Sequence, residues 1–268
     1  MSGRLSQVFV RAARDGRIAF VPYVMAGDPD LATTEAIVRE LGGAGADAIE
    51  LGIPYSDPLA DGPTVTAAGA RALANGTRPS DVLALVRRVA AGGPPLLLFT
   101  YFNPVDRFGV ERFAREAAAA GAAGAIVPDL ALEESEDLRA ALRARDLEMP
   151  LLVAPSTPRE RAANIAAASS GFVYVVSRLG VTGAGKRLDV EPIVAQLTML
   201  REITTMPLAV GFGISRPEEI RRVAGFANGV VVGSALIDAY AGSSGDAAVR
   251  RVREFVNPLL AAARGVDR

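Results

Sequence analysis

Short apolar runs alternate with amphipathic segments rich in alanine and arginine along almost the whole chain. Short apolar runs between turn-forming residues are typical of buried strands, and apolar residues spaced three and four apart are typical of helices. Eight strand–helix units follow one another in this way, with no proline- or serine-rich linker between them. The predicted strands are Ile18–Met25, Ala46–Leu51, Pro95–Tyr101, Gly124–Val127, Met149–Ala154, Phe172–Val176, Pro207–Val210 and Gly229–Val232.

Strands that alternate with helices predict a parallel sheet with right-handed crossovers. Eight units within 268 residues match the size of a (β/α)8 barrel. A doubly wound open sheet is the main alternative, but its G-x-G-x-x-G fingerprint should follow the first strand, where residues 26–29 read AGDP instead. We therefore predict an α/β chain that forms a single TIM barrel domain over residues 1–268. Extra helices are expected, with one continuous helix over Val105–Ala120 and a short one over 234–241.

Cysteine and histidine are both absent from the sequence. Without cysteine there is neither a disulfide framework nor a thiolate nucleophile, which fits a reducing compartment. Without histidine the commonest general base, the serine–histidine–aspartate triad and most zinc sites are excluded. Any catalysis must therefore depend on Asp, Glu, Lys, Tyr or Ser, and we expect no metal site.

The net charge of −1 gives the chain no long-range field that would attract nucleic acid or an anionic membrane. No apolar run approaches the ~18 residues that a membrane helix needs. The N-terminal segment mixes arginine and aspartate through short apolar runs and builds no signal-peptide core. We expect a soluble, cytoplasmic protein that binds neither nucleic acid nor a membrane.

The stretch ELGIPYSDPLADGPT, residues 50–64, carries two acids on different supports. Glu50 lies at the end of the second predicted strand, on the face opposite Ile49 and Leu51. A carboxylate in that position is costly unless it is paired or serves in catalysis. Asp61 lies in the proline- and glycine-rich loop that follows, just before a predicted helix. Carboxyl groups in such different surroundings can hold different protonation states, which acid–base chemistry exploits.

Glycine-containing loops follow both the seventh and the eighth predicted strands. Barrels often bind a phosphate with these two loops and the N-terminus of a short helix, because glycines let backbone N–H groups approach the anion. Gly213, Gly233 and Ser234 are therefore candidate phosphate-binding residues, although the same glycines would also suit ordinary tight turns.

The loop over residues 177–187, SRLGVTGAGKR, has the length and glycine content of a mobile lid that closes over a substrate. Gly183 lies close enough to the sixth strand end to reach the same phosphate. Thr182 could touch an active-site carboxylate when the loop closes. A disordered surface loop would have the same composition.

Aromatic residues near the predicted strand ends indicate an apolar pocket. Tyr174 on the sixth strand could direct its hydroxyl at a substrate, or could be an ordinary core tyrosine. Phe20, Phe99 and Phe212 are candidates for flat apolar walls at the same mouth, although phenylalanine is core material by default.

The stretch over residues 50–64 closely resembles the signature of the tryptophan synthase alpha chain family. The motifs LLLFTYFNPV, VPDL, LLVAPSTP, VSRLGVTGAG, VGFGIS and VVGSA recur in the order and at the spacing of that family. The resemblance spans about Phe9 to Val256, nearly the whole chain. It implies a lyase that cleaves indole-3-glycerol phosphate to indole and glyceraldehyde 3-phosphate by a retro-aldol reaction.

Roles for individual residues follow from the same resemblance. Glu50 would be the general acid–base that protonates C3 of the indole ring and helps to remove the glycerol hydroxyl proton. Asp61 would accept a hydrogen bond from the indole N–H and stabilise the indolenine cation, with Tyr174 supporting both acids. Thr182 would seat the lid. The phosphate and indole subsites would be lined by Gly183, Phe212, Gly213, Gly233 and Ser234.

The family functions as an α2β2 complex with a beta chain that carries pyridoxal phosphate and receives the indole. Pro54, Asp57, Asn103 and Pro104 match stretches that face this partner in the family. The resemblance thus implies no cofactor in this chain. Two alternatives stay open: a free-standing indole-glycerol-phosphate lyase, and a non-catalytic subunit that binds the phosphate ligand and activates a partner allosterically.

Overall fold

The computed structural model describes residues 3–176, 190–211 and 213–265. Eight parallel strands form one sheet, and the order along the sheet is β4-β3-β2-β1-β8-β7-β6-β5. A parallel bridge between Gly124 and Glu148 joins the two ends of this order and completes the ring. The predicted TIM barrel is therefore confirmed. The strands are β1 (Ala19–Met25), β2 (Ile49–Gly52), β3 (Leu96–Phe99), β4 (Gly124–Ile126), β5 (Leu151–Val153), β6 (Val173–Val176), β7 (Leu208–Gly211) and β8 (Gly229–Val232).

Helices surround the barrel, and none of those described is long and apolar enough to cross a membrane. The helix predicted over Val105–Ala120 is in fact two helices. Gly109, with φ of 89°, ends the first and begins the second, because a left-handed residue cannot continue an α-helix. The helices are α1 (Arg4–Arg14), α2 (Leu31–Ala44), α3 (Pro63–Ala74), α4 (Pro79–Val89), α5 (Phe102–Phe108), α6 (Val110–Ala120), α7 (Glu136–Arg143), α8 (Arg159–Ala168), α9 (Glu191–Arg201), α10 (Pro217–Val223), α11 (Ser234–Tyr240) and α12 (Gly245–Arg264), with a 3-10 turn over Leu132–Glu134.

Strand register decides which side chains fill the barrel. Tyr23 of β1 pairs with Glu50 of β2, and Glu50 pairs with Leu97 of β3, so these three side chains share the inner face. The alternate positions point outwards, where Ile49 and Leu51 are fully buried beneath the surrounding helices. The sheet therefore has an apolar outer face throughout, and the polar exceptions are confined to its inner layer.

The strand–helix pattern did not reveal α1, which closes the N-terminal end of the barrel. Its buried residues Leu5, Val8, Phe9 and Ala12 recur at helical spacing. The Phe9 ring packs against Phe172, with 5.2 Å between ring centroids. The helix thus covers the end of the barrel opposite to the strand ends where a TIM barrel holds its active site.

A buried glutamate anchors the start of α1. Glu148, 6% exposed, accepts hydrogen bonds from the backbone N–H groups of Leu5 (2.6 Å) and Ser6 (3.2 Å) and from the Ser6 hydroxyl. A negative charge at a helix N-terminus is also favoured by the helix dipole. A Cβ on Gly3 would lie 2.2 Å from the Glu148 carboxyl carbon, so the close approach depends on glycine at that position.

We predict that Glu148→Ala lowers the free energy of unfolding by about 2–4 kcal/mol, because three hydrogen bonds to a buried carboxylate are lost and the α1 donors stay buried. Urea denaturation followed by circular dichroism measures the change. Glu254→Ala, at an exposed position of α12, serves as the control and should stay within about 0.5 kcal/mol of the parent chain. Equal stabilities for the two variants would contradict the anchoring role.

Candidate active site

The inner layer of the barrel brings together two of the three residues predicted as catalytic. Glu50, 1% exposed, and Tyr174, 3% exposed, project inwards from β2 and β6. The charge of Glu50 raises the pKa of the Tyr174 hydroxyl in addition to the effect of burial, which indicates that the two groups are close in space. Asp61 lies in the loop after β2 and is partly buried. Its charge and that of Glu50 both raise the pKa of Tyr23, so all these groups share one electrostatic environment.

Glu50 has the surroundings of a proton donor. Its Oε1 atom is buried without a hydrogen-bond partner among the described residues. Burial raises the pKa of its carboxyl group to about 8. Desolvation penalises the charged form, and among the residues that the structure describes no cation offsets that penalty. The carboxyl group is therefore mostly protonated at neutral pH.

Asp61 is held in the opposite state by a more polar environment. Burial raises the pKa of its carboxyl group to about 6, and a hydrogen bond from the Tyr101 hydroxyl opposes this rise. The same hydroxyl accepts a hydrogen bond from the backbone N–H of Ala60 at 3.0 Å. Tyr101 thus orients the loop next to Asp61. At neutral pH the site contains an acid, Glu50, beside a carboxylate, Asp61.

Aromatic rings form the walls around Glu50. Tyr23 and Phe99 meet edge to face with 5.6 Å between their centroids, and Tyr174 lies on β6. Two glycines make room for the tyrosines. A Cβ on Gly52 would lie 2.2 Å from the Tyr23 hydroxyl, and one on Gly211 would lie 2.2 Å from the Tyr174 hydroxyl. The pocket therefore depends on glycine in the inner layer of β2 and β7.

The structure does not bring Phe20 to this pocket, contrary to the sequence-based expectation. Phe20 is the second residue of β1 and pairs with Val230, near the start of the strands. Tyr23 is three positions further along β1, so alternation places it on the opposite face, beside Glu50. Phe20 packs between the sheet and the helices. Tyr23 occupies the inner position that was predicted for Phe20.

The loops after β7 and β8 carry the candidate phosphate-binding residues Gly213, Gly233 and Ser234. Gly213 has φ of 96°, a conformation that favours glycine, and is exposed. Gly233 and Ser234 are partly exposed at the start of α11. A Cβ on Gly233 would lie 3.4 Å from Cβ of Tyr23, so this loop adjoins the aromatic wall. Thr182, Gly183 and Phe212 lie outside the described residues.

Two surface segments predicted to face a partner lie together beside the mouth. The side-chain amide of Asn103 donates a 2.9 Å hydrogen bond to the Tyr55 hydroxyl, which joins the α5 segment to the loop after β2. Asp57 and Asn103 are exposed, Pro104 is partly exposed, and Pro54 is buried. Pro54 therefore shapes this loop from below and leaves the surface to its neighbours, including Leu59, which is 83% exposed.

Sequence reasoning missed two tyrosines that shape the site, Tyr23 and Tyr101. The signal for Tyr23 was present, because alternation along β1 together with the pairing of β1 and β2 selects it over Phe20. No local pattern marks Tyr101, whose contact with the Asp61 loop depends on the folded path of that loop. Across the described parts of the chain, no cluster of Asp and Glu residues could hold a metal ion.

The arrangement suits a reaction that protonates carbon and stabilises a neighbouring cation. A carboxyl group with a pKa near 8 donates a proton from an apolar wall, while a carboxylate at the mouth accepts a hydrogen bond or faces positive charge. The glycine loops follow β7 and β8, and β8 lies next to β1 in the sheet, on the side opposite to β2.

Comparisons with known proteins identify the family of this chain. The family model described as tryptophan synthase alpha chain matches residues 9–264. The tryptophan synthase alpha chain of Gloeobacter violaceus is 46% identical over 264 residues, covering 98% of this chain and 95% of that protein. The Arabidopsis thaliana protein of the same name is 46% identical over 235 residues, covering 87% and 85%.

Solved structures lead to the same family. A Mycobacterium tuberculosis tryptophan synthase structure superposes with a TM-score of 0.90 at 38% identity, covering 98% of this chain and 99% of that one. The alpha subunit of tryptophan synthase from Legionella pneumophila superposes with a TM-score of 0.87 at 31% identity, covering 99% and 100%. Sequence and fold thus agree over nearly the full length, and the chain belongs to the tryptophan synthase alpha chain family.

Proposed function

We propose that this chain cleaves indole-3-glycerol phosphate to indole and glyceraldehyde 3-phosphate, with Glu50 and Asp61 as the two catalytic acids. The observation that carries the assignment of roles is the buried carboxyl group of Glu50 in an aromatic wall, near a second acid of lower pKa. Its Oε1 atom has no hydrogen-bond partner among the residues that the structure describes. A phosphate-binding regulator without catalysis would have no use for such a pair, because holding Glu50 in that position reduces stability at neutral pH.

The reaction proceeds by protonation followed by carbon–carbon cleavage. Protonated Glu50 donates its proton to C3 of the indole ring, and the positive charge that develops on the ring nitrogen is stabilised by ionised Asp61 through the indole N–H. The Glu50 carboxylate then removes the proton of the hydroxyl group on the adjacent side-chain carbon. As that oxygen forms the aldehyde, the electrons of the C3–C bond return to the ring. Indole leaves neutral, and Glu50 is protonated again.

Tyr174 and Phe99 support this chemistry by excluding water. Their rings, with Tyr23, keep the Glu50 carboxyl group in an apolar environment, and this environment sustains its raised pKa. Tyr174 is therefore a supporting residue whose hydroxyl adjoins Glu50.

We assign the substrate phosphate to the loops after β7 and β8. Backbone N–H groups at Gly213, Gly233 and Ser234 would bind its oxygens, and the Ser234 hydroxyl would add one donor. Gly183 and Phe212 would complete the subsite and Thr182 would seat the lid, as the family resemblance implies.

The indole passes to a tryptophan synthase beta chain in an α2β2 complex. Asp57, Asn103 and Pro104, with Pro54 beneath them, are the proposed contact region, and their exposure beside the mouth supports that assignment. Pyridoxal phosphate belongs to the partner, because an enzyme holds this cofactor through a lysine. Lys186 is the single lysine of the sequence, and its place in the predicted lid makes it a poor candidate for that bond.

We predict that Glu50→Gln lowers kcat by at least about 10³-fold and changes the Kd for glycerol phosphate by less than about tenfold, because the amide keeps the size but cannot transfer the proton. Indole release is measured with the chain alone and with an added beta chain. Glu148→Gln, a buried glutamate at the other end of the barrel, is the matched control and should retain kcat. Near-normal turnover in Glu50→Gln would reject the assignment.

The raised pKa of Glu50 also makes stability depend on pH. The carboxyl group has an ordinary pKa of 4.5 when unfolded and about 8 when folded, so between these values the folded chain binds more protons. Its contribution to stability is fully present below pH 4.5 and is lost as the pH rises towards 8. We predict that Glu50→Gln, measured against the parent chain, gains about 3–5 kcal/mol of unfolding free energy between pH 4.5 and 8.

Urea denaturation across this pH range provides the measurement, and it needs no substrate. Glu254→Gln at the exposed α12 position should show a pH-independent difference of near zero. A flat difference for Glu50→Gln as well would mean that Glu50 is ionised in the folded chain, and the proton-donor role would have to be abandoned.

We predict that Ser234→Asp raises KM for indole-3-glycerol phosphate about 10- to 100-fold, because the new carboxylate would face the substrate phosphate. Steady-state kinetics at fixed ionic strength measures the effect. Ser80→Asp, at an exposed position in the first turn of α4, adds the same charge away from the site and should leave KM within about twofold. An unchanged KM in Ser234→Asp would place the phosphate elsewhere.

A further inference from the structure

An ion pair on the rim of the barrel connects the turn after β1 to α3, the helix that follows the Asp61 loop. Asp28, 2% exposed, lies in the turn directly after β1. Arg71 of α3 donates two hydrogen bonds to it, Nε to Oδ1 at 2.7 Å and Nη2 to Oδ2 at 2.9 Å. Such a bidentate pair fixes the direction of the guanidinium group as well as its distance.

A second contact from α3 fixes the same turn. The side-chain amide of Asn75, which follows the last residue of α3, donates to the backbone oxygen of Pro29. Thr77 fills the space beside Gly27, where a Cβ would lie 2.1 Å from its hydroxyl oxygen. The C-terminal end of α3 and the residues after it therefore pack against the turn after β1.

The third element at this place is α11. It packs against both α3 and β1. Burial raises the pKa of Tyr240, and the negative charge of Asp28 raises it further, so the last residue of α11 shares the buried surroundings of that carboxylate. Hydrogen bonding to Asp28 raises the pKa of Arg71, and the charges of Tyr240 and Asp238 add to the rise. The Arg71 side chain stays 45% exposed, and its guanidinium group faces the buried Asp28 carboxylate.

The residues at which α3 and α11 begin link this network to the proposed substrate site. α3 begins at Pro63, two residues after Asp61. α11 begins at Ser234, the proposed phosphate ligand. The two helices therefore hold the indole end and the phosphate end of the proposed substrate site, and Asp28 with Arg71 lies between them.

We propose that Asp28 and Arg71 are positioning residues that set the spacing between Asp61 and the phosphate loop at Ser234. Neither residue touches the substrate. They determine whether one molecule of indole-3-glycerol phosphate can engage both ends at once. The inference rests on the proposed function and adds to it the part of the scaffold that fixes substrate length.

A positioning role would affect the binding of substrate fragments and the turnover of the intact substrate differently. Each half of the substrate needs only its own subsite, so indole and glycerol phosphate should bind normally when the spacing relaxes. The intact substrate must satisfy both subsites in one geometry, and a misplacement of about 1 Å can cost about 10²-fold in rate. A purely structural role would instead reduce every ligand affinity in proportion to the fraction of unfolded chain.

The test uses Arg71→Met, which keeps the apolar stem and removes the fork, and Asp28→Asn, which keeps the shape of the turn. Arg253→Met is the matched control, because Arg253 makes a similar bidentate pair with Glu40 between α12 and α2 (2.5 and 2.6 Å). Calorimetry gives Kd for glycerol phosphate and for indole separately, and steady-state kinetics gives kcat/KM for the whole substrate. Circular dichroism confirms that each variant is folded.

We expect kcat/KM to fall about 10- to 100-fold in Arg71→Met and Asp28→Asn, while both fragment affinities stay within about threefold and Arg253→Met stays within about twofold. Unchanged kcat/KM in folded variants would overturn the positioning role, as would an equal loss for fragments and substrate. If Arg71→Met does not fold, Asp28→Asn decides alone. A parent chain that releases no indole with or without a beta chain would reject the proposed function itself, which is a separate result.

Discussion

The desolvation of one carboxyl group is the constraint on which the active end of this barrel depends. Glu50 is 1% exposed and lacks a hydrogen-bond partner for Oε1 among the described residues. Its raised pKa exists because the inner layer is aromatic, and the aromatic layer exists because Gly52 and Gly211 leave room for two tyrosines. A methyl group at either glycine would displace a tyrosine and admit water. Chemistry at Glu50 is thus built from packing, with no cation required.

A second buried glutamate shows what the same residue does when its hydrogen bonds are satisfied. Glu148 is nearly as buried, at 6% exposed, yet it accepts bonds from two backbone N–H groups and one hydroxyl at the start of α1. These donors make its carboxylate a structural anchor. The two ends of the barrel therefore use one side-chain type in opposite ways. The closed end gains stability from a bonded charge, and the open end sacrifices stability to keep a proton available.

The sequence predicts the barrel well because strand alternation is a local property. Strand β6 and the loop before α3 lie where apolar periodicity and turn residues placed them, and Glu50 projects to the expected face. The errors arise where contacts between distant segments decide. Phe20 and Tyr23 cannot be ranked without the register between β1 and its neighbours. The separation of α5 from α6 depends on a single left-handed glycine. The helical pattern of α1 is present in the sequence, but its packing against the N-terminal end of the barrel is a contact between distant segments.

Asp61 differs from Glu50 in that it lies on a loop. The surroundings that determine its protonation state are therefore adjustable. Tyr101 holds Ala60 and Asp61 through one hydroxyl, and its ring lies 5.4 Å from that of Tyr55. The Tyr55 hydroxyl in turn accepts a hydrogen bond from exposed Asn103. A partner that binds the surface at Asn103 would act on a chain of contacts that ends at Asp61, the proposed catalytic carboxylate. The inner layer of the barrel thus holds Glu50, whereas Asp61 lies on a loop that a partner can reach. Partner binding can therefore alter activity without disturbing the core.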